Sequence, residues 1–296
     1  MRSNRTSHLL FGMILSAILC SAALNAKAQT PTASPSPTPK ASKTPTLESQ
    51  FVKNVLRDQK AIWTSPFHLH GSDARWLAPL GLGTAALIAT DRRTADEIGE
   101  FHGQLNASRI VSYTGSGYGV GGIAAAFYLF GRAKHDERAR ETGVLSAEAL
   151  IDSAIVVTAL QEVTQRRRPL AATGRGDFFD GGSSFPSGHS IEAWSLAAVI
   201  ANEYHGHRLV QISAYGIASA VSIARFTGRK HYLSDVLVGS AAGYGIGRYV
   251  YRTHHRNRTG SDDEGESAGR SRSWPTIVPQ YERRARNYGV AVAWSF

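Results

Sequence analysis

His231 and Asp235 stand four residues apart, the separation that places two side chains on one helix face. A carboxylate so placed can accept the Nδ1 proton of the imidazole. Nε2 is then an outward lone pair, available as a nucleophile. An ordinary surface His–Asp pair has the same spacing, so the pair alone decides nothing. Pro186-Ser187-Gly188-His189 precedes an apolar run. Ser187 can cap a helix there and Gly188 leaves its backbone N–H open; such a helix start binds anions. His189, in the first turn, can protonate a leaving oxygen. Arg168 and Arg225 offer planar forks that match phosphate oxygens. Together these parts make a set for phosphoryl transfer through a covalent phosphohistidine, without a metal or other cofactor.

The set has an order along the chain: Gln161-x6-Arg168-Pro169, then Pro186-Ser187-Gly188-His189, then Ala224-Arg225-x5-His231-x3-Asp235. This resembles the type 2 phosphatidic acid phosphatase superfamily, which also holds bacterial class A acid phosphatases and vanadium haloperoxidases. The family pattern is Lys-x6-Arg-Pro, Pro-Ser-Gly-His and Ser-Arg-x5-His-x3-Asp, and the likeness covers roughly residues 75–250. The resemblance implies a helical bundle with His231 as nucleophile, Asp235 as its partner and His189 as general acid. It also implies that Arg168, Ser187, Gly188, Arg225 and the residue at 161 hold the phosphoryl oxygens. Two positions depart from the pattern. Gln161 replaces a lysine, which removes a positive charge from the pocket, and Ala224 replaces a serine. Arg166 or Arg167 is a candidate to supply the missing charge.

The expected reaction is hydrolysis of an exported phosphate monoester or a lipid (di)phosphate. Two alternatives are a family member that binds anions or lipids without catalysis, and a vanadium-dependent haloperoxidase. Intact His189, His231 and Asp235 argue against the first. The short chain and the missing lysine argue against the second.

The elements that must position these residues read as helices. Leu47, Phe51, Val55 and Ile62 fall near helical spacing. Apolar segments follow at about 76–90, 115–130, 145–163, 189–204, 209–226 and 232–250, without two-residue alternation. The fold class is therefore all-α, a bundle of about six core helices over residues 46–251. Gly117-Tyr118-Gly119-Val120-Gly121-Gly122 contains G-x-G-x-x-G, but no strand precedes it in a βαβ unit. It reads as small residues that let helices approach, as do Gly239, Gly243 and Gly247. Val111 to Gly131 is free of charge and long enough to span a bilayer. Asp152, Glu162, Glu192 and Glu203 interrupt other runs, and mean hydropathy is −0.21. A soluble or peripheral bundle is expected on this count, with an integral membrane bundle as the alternative.

Residues 1–28 read as a signal peptide: Arg2 and Arg5, an apolar run from Leu9 to Leu24, and Ala26-Lys27-Ala28 before the cleavage point. Residues 29–45, rich in Pro, Ser and Thr, read as a linker, and the folded part as extracytoplasmic. Residues 252–273 are charged and Gly/Ser-rich, hence flexible. Residues 274–296 end in alternating Tyr288, Val290, Val292, Trp294 and Phe296, a strand pattern that predicts a short strand or hairpin packed on the bundle. The single Cys20 excludes disulfide scaffolds. His68 and His70, and His205 and His207, lack a third ligand, so no metal site is expected. A net charge of +10 favours a phosphate-ester substrate or a membrane surface as partner. No zinc-finger or aromatic-basic pattern points to nucleic acid.

Overall fold

The computed structural model describes residues 46–98, 102–170, 176–258, 276–282 and 287–293. The signal peptide and linker fall outside the described residues, as do Trp294 and Phe296. The helices are α1 (Leu47–Thr64), α2 (Ala74–Glu97), α3 (His102–Thr114), α4 (Gly117–Lys134), α5 (Glu137–Thr164), α6 (Gly188–Glu203), α7 (Arg208–Thr227) and α8 (Leu233–Arg258). Strands β1 (Thr276–Glu282) and β2 (Asn287–Ala293) pair antiparallel, so the expected C-terminal strand exists as a hairpin.

The all-α expectation holds, with two differences in its boundaries. The charge-free run 111–131 is broken at Gly115-Ser116, where Ser116 caps α4 by accepting from the Gly119 N–H. A capped start stops the preceding helix from continuing, so the run forms the end of α3 and most of α4. The bundle's last helix also runs to Arg258, past the expected boundary at 251.

The core lies between α5, α6 and α8. Leu145, Ala149, Val156 and Val157 meet Ile191 and Val199 of α6 and Ile246 and Val250 of α8. Each large aliphatic side chain buried there contributes about 1.5–3 kcal/mol. Contact between α6 and α8 is close because Gly239, Gly243 and Gly247 face the other helix's backbone. An added Cβ at these positions would collide with the carbonyls of Ser187, Ile191 and Ser195 in turn. The second glycine group differs. A Cβ at Gly121 or Gly122 would meet nothing within 4 Å, so these two serve no helix approach.

Helix α5 ends at Gln165, which takes a left-handed conformation (φ 45°) and returns its N–H to the Gln161 carbonyl. That turn sends Arg166, Arg167 and Arg168 out of the helix in different directions. The acidic residues that interrupt the apolar runs are partly accounted for by burial: Asp152 and Glu203 lie inside the bundle. Outward faces instead carry Leu77, Leu82, Leu129, Phe130, Ile212 and Ile217, all exposed. Helices α5 and α7 are long and apolar enough to cross a membrane.

Candidate active site

The site forms where one end of α5, the start of α6, the end of α7 and the start of α8 meet. The Arg225–His231 spacing has a local cause. Helix α7 ends at Thr227, and the Arg225 carbonyl accepts from the N–H groups of Lys230 (3.1 Å) and His231 (3.3 Å). This closes the loop so that His231 comes back beneath Arg225. Gln104 of α3 fastens the turn from outside by donating to the Thr227 carbonyl at 2.9 Å.

His231 is buried, and its Nδ1 donates to the Ser184 carbonyl at 2.8 Å. The nearest Asp235 carboxylate oxygen is 3.6 Å from Nδ1. The expectation that Asp235 itself takes this proton is therefore corrected: a backbone carbonyl takes it, and the carboxylate acts from one step further. The helix start explains why. Asp235 Oδ2 already accepts from the Tyr232 N–H (2.9 Å) and the Ser184 hydroxyl (2.5 Å). Its Oδ1 accepts from Arg166 at 2.5 Å. The Nδ1–H bond to Ser184 fixes the tautomer with its lone pair on Nε2, the outcome the spacing predicted by another route. Burial lowers the His231 pKa; the Asp235 carboxylate opposes this, and Arg225 and Arg168 add to it.

Arg166, one of the two candidates for the missing charge, is engaged elsewhere. It is fully buried and joins two carboxylates, Asp235 Oδ1 and Asp91 Oδ2 (2.9 Å), while donating to Ser234 Oγ and the Gly176 carbonyl. The rings of Tyr232 and Phe178 cover its two faces at 4.3 and 4.7 Å. Arg167 pairs with Asp180 at 2.6 Å. Neither stands in for the absent lysine.

Arg168 and Arg225 behave otherwise. The Nε of each is buried and has no hydrogen-bond partner. Arg168 makes only long contacts of 3.4 Å, to the Ser183 carbonyl and hydroxyl. Both guanidinium groups lie close enough to His189 and His231 to depress those imidazoles. His189, in the first turn of α6, is pushed down to about 3, first by burial and then by Arg225, His231 and Arg168. Buried guanidinium N–H groups without acceptors cost free energy that a bound oxyanion would return.

Ser187 occupies the N-cap position of α6, but its hydroxyl makes no cap bond and instead accepts from Ser190 Oγ at 3.1 Å. Its backbone N–H is given to the Asp235 carbonyl at 3.0 Å. The Ser187 N–H is thus already taken, and the helix-start N–H groups left for a ligand begin at Gly188. Gln161 donates to the Pro186 carbonyl at 2.9 Å and thereby braces the turn that leads to Gly188. A cavity of about 350 Å³ opens above His189 and Arg225. Arg109, Ser112 and Lys230 line it, and the motifs did not point to these. A cationic residue one place before His231 was the only available sign.

The sequence model of the PAP2 superfamily matches residues 142–259, the stretch that carries every one of these groups except Asp91, Gln104, Arg109 and Ser112. Over these residues the chain is similar to the PAP2 superfamily. Among relatives, the lipid A 1-phosphatase of Porphyromonas gingivalis is 37% identical over 71 residues, which are 23% of this chain and 16% of that protein. The chain thus spans only a small part of that relative's length. Two solved structures match part of the chain. One is the first transmembrane PAP2 type phosphatidylglycerolphosphate phosphatase from Bacillus subtilis, at 21% identity and a TM-score of 0.46, covering 62% of this chain and 97% of that one. The other is LpxE of Aquifex aeolicus, at 20% identity and a TM-score of 0.42, covering 55% and 93%.

Proposed function

We propose that this PAP2 chain is a phosphatase that removes a phosphate group from a lipid, with His231 as the nucleophile. The observation that carries this is the pair of buried, partnerless Nε–H groups of Arg168 and Arg225 beside the tautomer-locked His231. In this reading the arginines and the α6 N–H groups from Gly188 onward hold the phosphoryl oxygens, and Nε2 attacks phosphorus in line. His189 gives its proton to the departing oxygen, and water then cleaves the phosphohistidine with His189 as base. The charge of the transferring group is met by guanidinium groups, so the transfer step calls for no metal.

A lipid is favoured over a small ester by an apolar groove of about 330 Å³ between α4, α6 and α7. Val221 and Ala218 line it, one and two turns below Arg225. An acyl chain laid there would present its head group to the cavity above. Membrane seating through α5, α7 and the exposed apolar faces follows from the same reading. The relative named as a lipid A 1-phosphatase agrees with it. The test is phosphate release by the full chain in detergent, from phosphatidic acid, a lipid diphosphate and p-nitrophenyl phosphate. Vanadate-sensitive release, fastest from a lipid, is expected, with an acid-labile label on the protein. Tight phosphate binding without release would leave a binding protein, and vanadate-dependent halide oxidation would make it a haloperoxidase.

The lowered imidazoles set a pH profile. With a pKa near 3, His189 is neutral in the empty pocket at pH 7, so its proton must arrive with the substrate. Lower pH supplies more of both the protonated His189 and the phosphate monoanion, whose second pKa is about 6. His231 keeps its neutral form because its own pKa is lowered. We expect kcat/KM to rise about tenfold or more from pH 8 to pH 6. A flat profile or an alkaline optimum would remove His189 from the acid role.

Gln161→Lys is expected to raise kcat/KM several-fold. A lysine can still reach the Pro186 carbonyl, and it brings the charge that neither Arg166 nor Arg167 supplies. Charge-assisted hydrogen bonds are worth about 1 kcal/mol more than neutral ones. Unchanged or lower kcat/KM, at unchanged Tm, would show a pocket rebuilt around glutamine.

A further inference from the structure

Helix α1 packs on the bundle through Leu47 and Ile62, but its fully buried contacts are polar. Its buried residues are Asn54 and Asp58, while Val52 and Leu56 are exposed. Asp58 meets Glu148 of α5 and His254 of α8, and all three are buried. One ligating atom from each lies within 4.8 Å of the others. Glu148 stands 13 residues before Gln161 on α5, which puts the cluster about 20 Å from the phosphate pocket.

The bonding pattern within the cluster is uneven. Asn54 Nδ2 donates to Glu148 Oε1 at 3.0 Å, and Gln59 Nε2 donates to Asp152 Oδ1 at 2.8 Å. His254 Nε2 pairs with Asp58 Oδ2 at 2.6 Å. The other oxygen of each carboxylate, Glu148 Oε2, Asp152 Oδ2 and Asp58 Oδ1, is buried with no hydrogen-bond partner. Arg57, the nearby cation on α1, bonds Asn54 instead. Three buried carboxylates thus share one imidazole, and uncompensated buried charge is costly. In Glu148 and Asp152 one oxygen is fixed from behind by a side-chain amide and the other is left over, which is how protein metal ligands are oriented.

We propose that Asp58, Glu148 and His254, with Asp152 one turn along α5, bind a divalent transition-metal ion that clamps α1 to α5 and α8. One imidazole nitrogen with carboxylate oxygens suits Zn²⁺ or Mn²⁺ better than Ca²⁺ or Mg²⁺, which favour all-oxygen sets. The ion takes the place of the proton shared by His254 Nε2 and Asp58 Oδ2. Ligand bonds of about 2.0–2.2 Å require those two atoms to part by less than about 1 Å. The proposal does not depend on the phosphatase reading, because its readouts are metal content and stability.

The test uses the full chain in detergent, stripped with chelator and then dialysed against Zn²⁺ or Mn²⁺. About one ion per chain is expected by elemental analysis, with Tm raised by several degrees. Glu148→Gln and His254→Gln should lose the ion, and Glu148→Gln should match or exceed the Tm of the stripped wild type, since it removes a buried charge. X-ray absorption at the zinc edge of the wild type keeps the test decisive if a variant fails to fold. One imidazole and two or three oxygens are expected. A wild type that holds no ion and whose Tm ignores Zn²⁺ and Mn²⁺ would overturn the proposal. So would undiminished binding in both variants, or a zinc bound by two or more imidazoles.

Discussion

His231→Ala is expected to lower kcat/KM for the best lipid phosphate by at least about 10³-fold, because no covalent intermediate can form without Nε2. The substitution also removes the Nδ1–H bond to Ser184 and leaves a buried space, at a cost of about 1–3 kcal/mol. His231→Gln separates the two effects, since a glutamine amide can still donate to the Ser184 carbonyl. Both variants should lose phosphate release and the acid-labile phosphoenzyme, while His231→Gln stays close to wild-type Tm. A variant that turns over within tenfold of wild type, with its fold intact, would sink the assignment of the nucleophile.

Arg166→Met is expected to be the most damaging change to stability in this end of the bundle. It leaves Asp91 and Asp235 buried with no cation between them. Removing one member of a buried ionic group costs about 3–5 kcal/mol. The loss should appear as a Tm lower by about 10 °C or more, with activity falling alongside as the α8 start loosens. Arg166→Lys should recover part of it, because an ammonium can reach one carboxylate but cannot fork between two. If Arg166 were instead a phosphate ligand, Arg166→Met would cut kcat/KM and leave Tm unchanged. That result would refute the structural role.

Arg166 also marks the limit of what the chain's order reveals. The motif residues were legible because each motif is short and its spacing has local meaning: a helix repeat for His231 and Asp235, a helix start for Ser187 to His189. Arg166 sits two residues from Arg168, and nothing local says that one is enclosed and the other is not. The difference is made by Asp91, 75 residues away, and by the rings of Phe178 and Tyr232. The partner of His231 Nδ1 was hidden for a similar reason. A backbone carbonyl belongs to every residue, so no residue type could announce that Ser184 supplies it. The α3–α4 break was written locally, in Gly115-Ser116, but charge alone does not see it. The inward direction of Asp152 and Glu203 was not written locally at all, and it reverses what those charges imply about a bilayer.

The glycine stripe on α8 bears on how far apart the two catalytic helix starts can sit. Gly239, Gly243 and Gly247 let the backbone of α8 rest on that of α6, and these two helices begin at the groups assigned as nucleophile partner and acid. With backbone against backbone at these three points, the two starts cannot drift apart independently. A single methyl group at Gly243, about 12 Å along α8 from Asp235, would wedge the pair and be felt at the mouth as a changed reach between His189 and His231. Much of the positional tolerance of the reaction is therefore set by residues that never approach a phosphate. Gly239, Gly243 and Gly247 are thus three remote levers on that distance, none of which carries a charge.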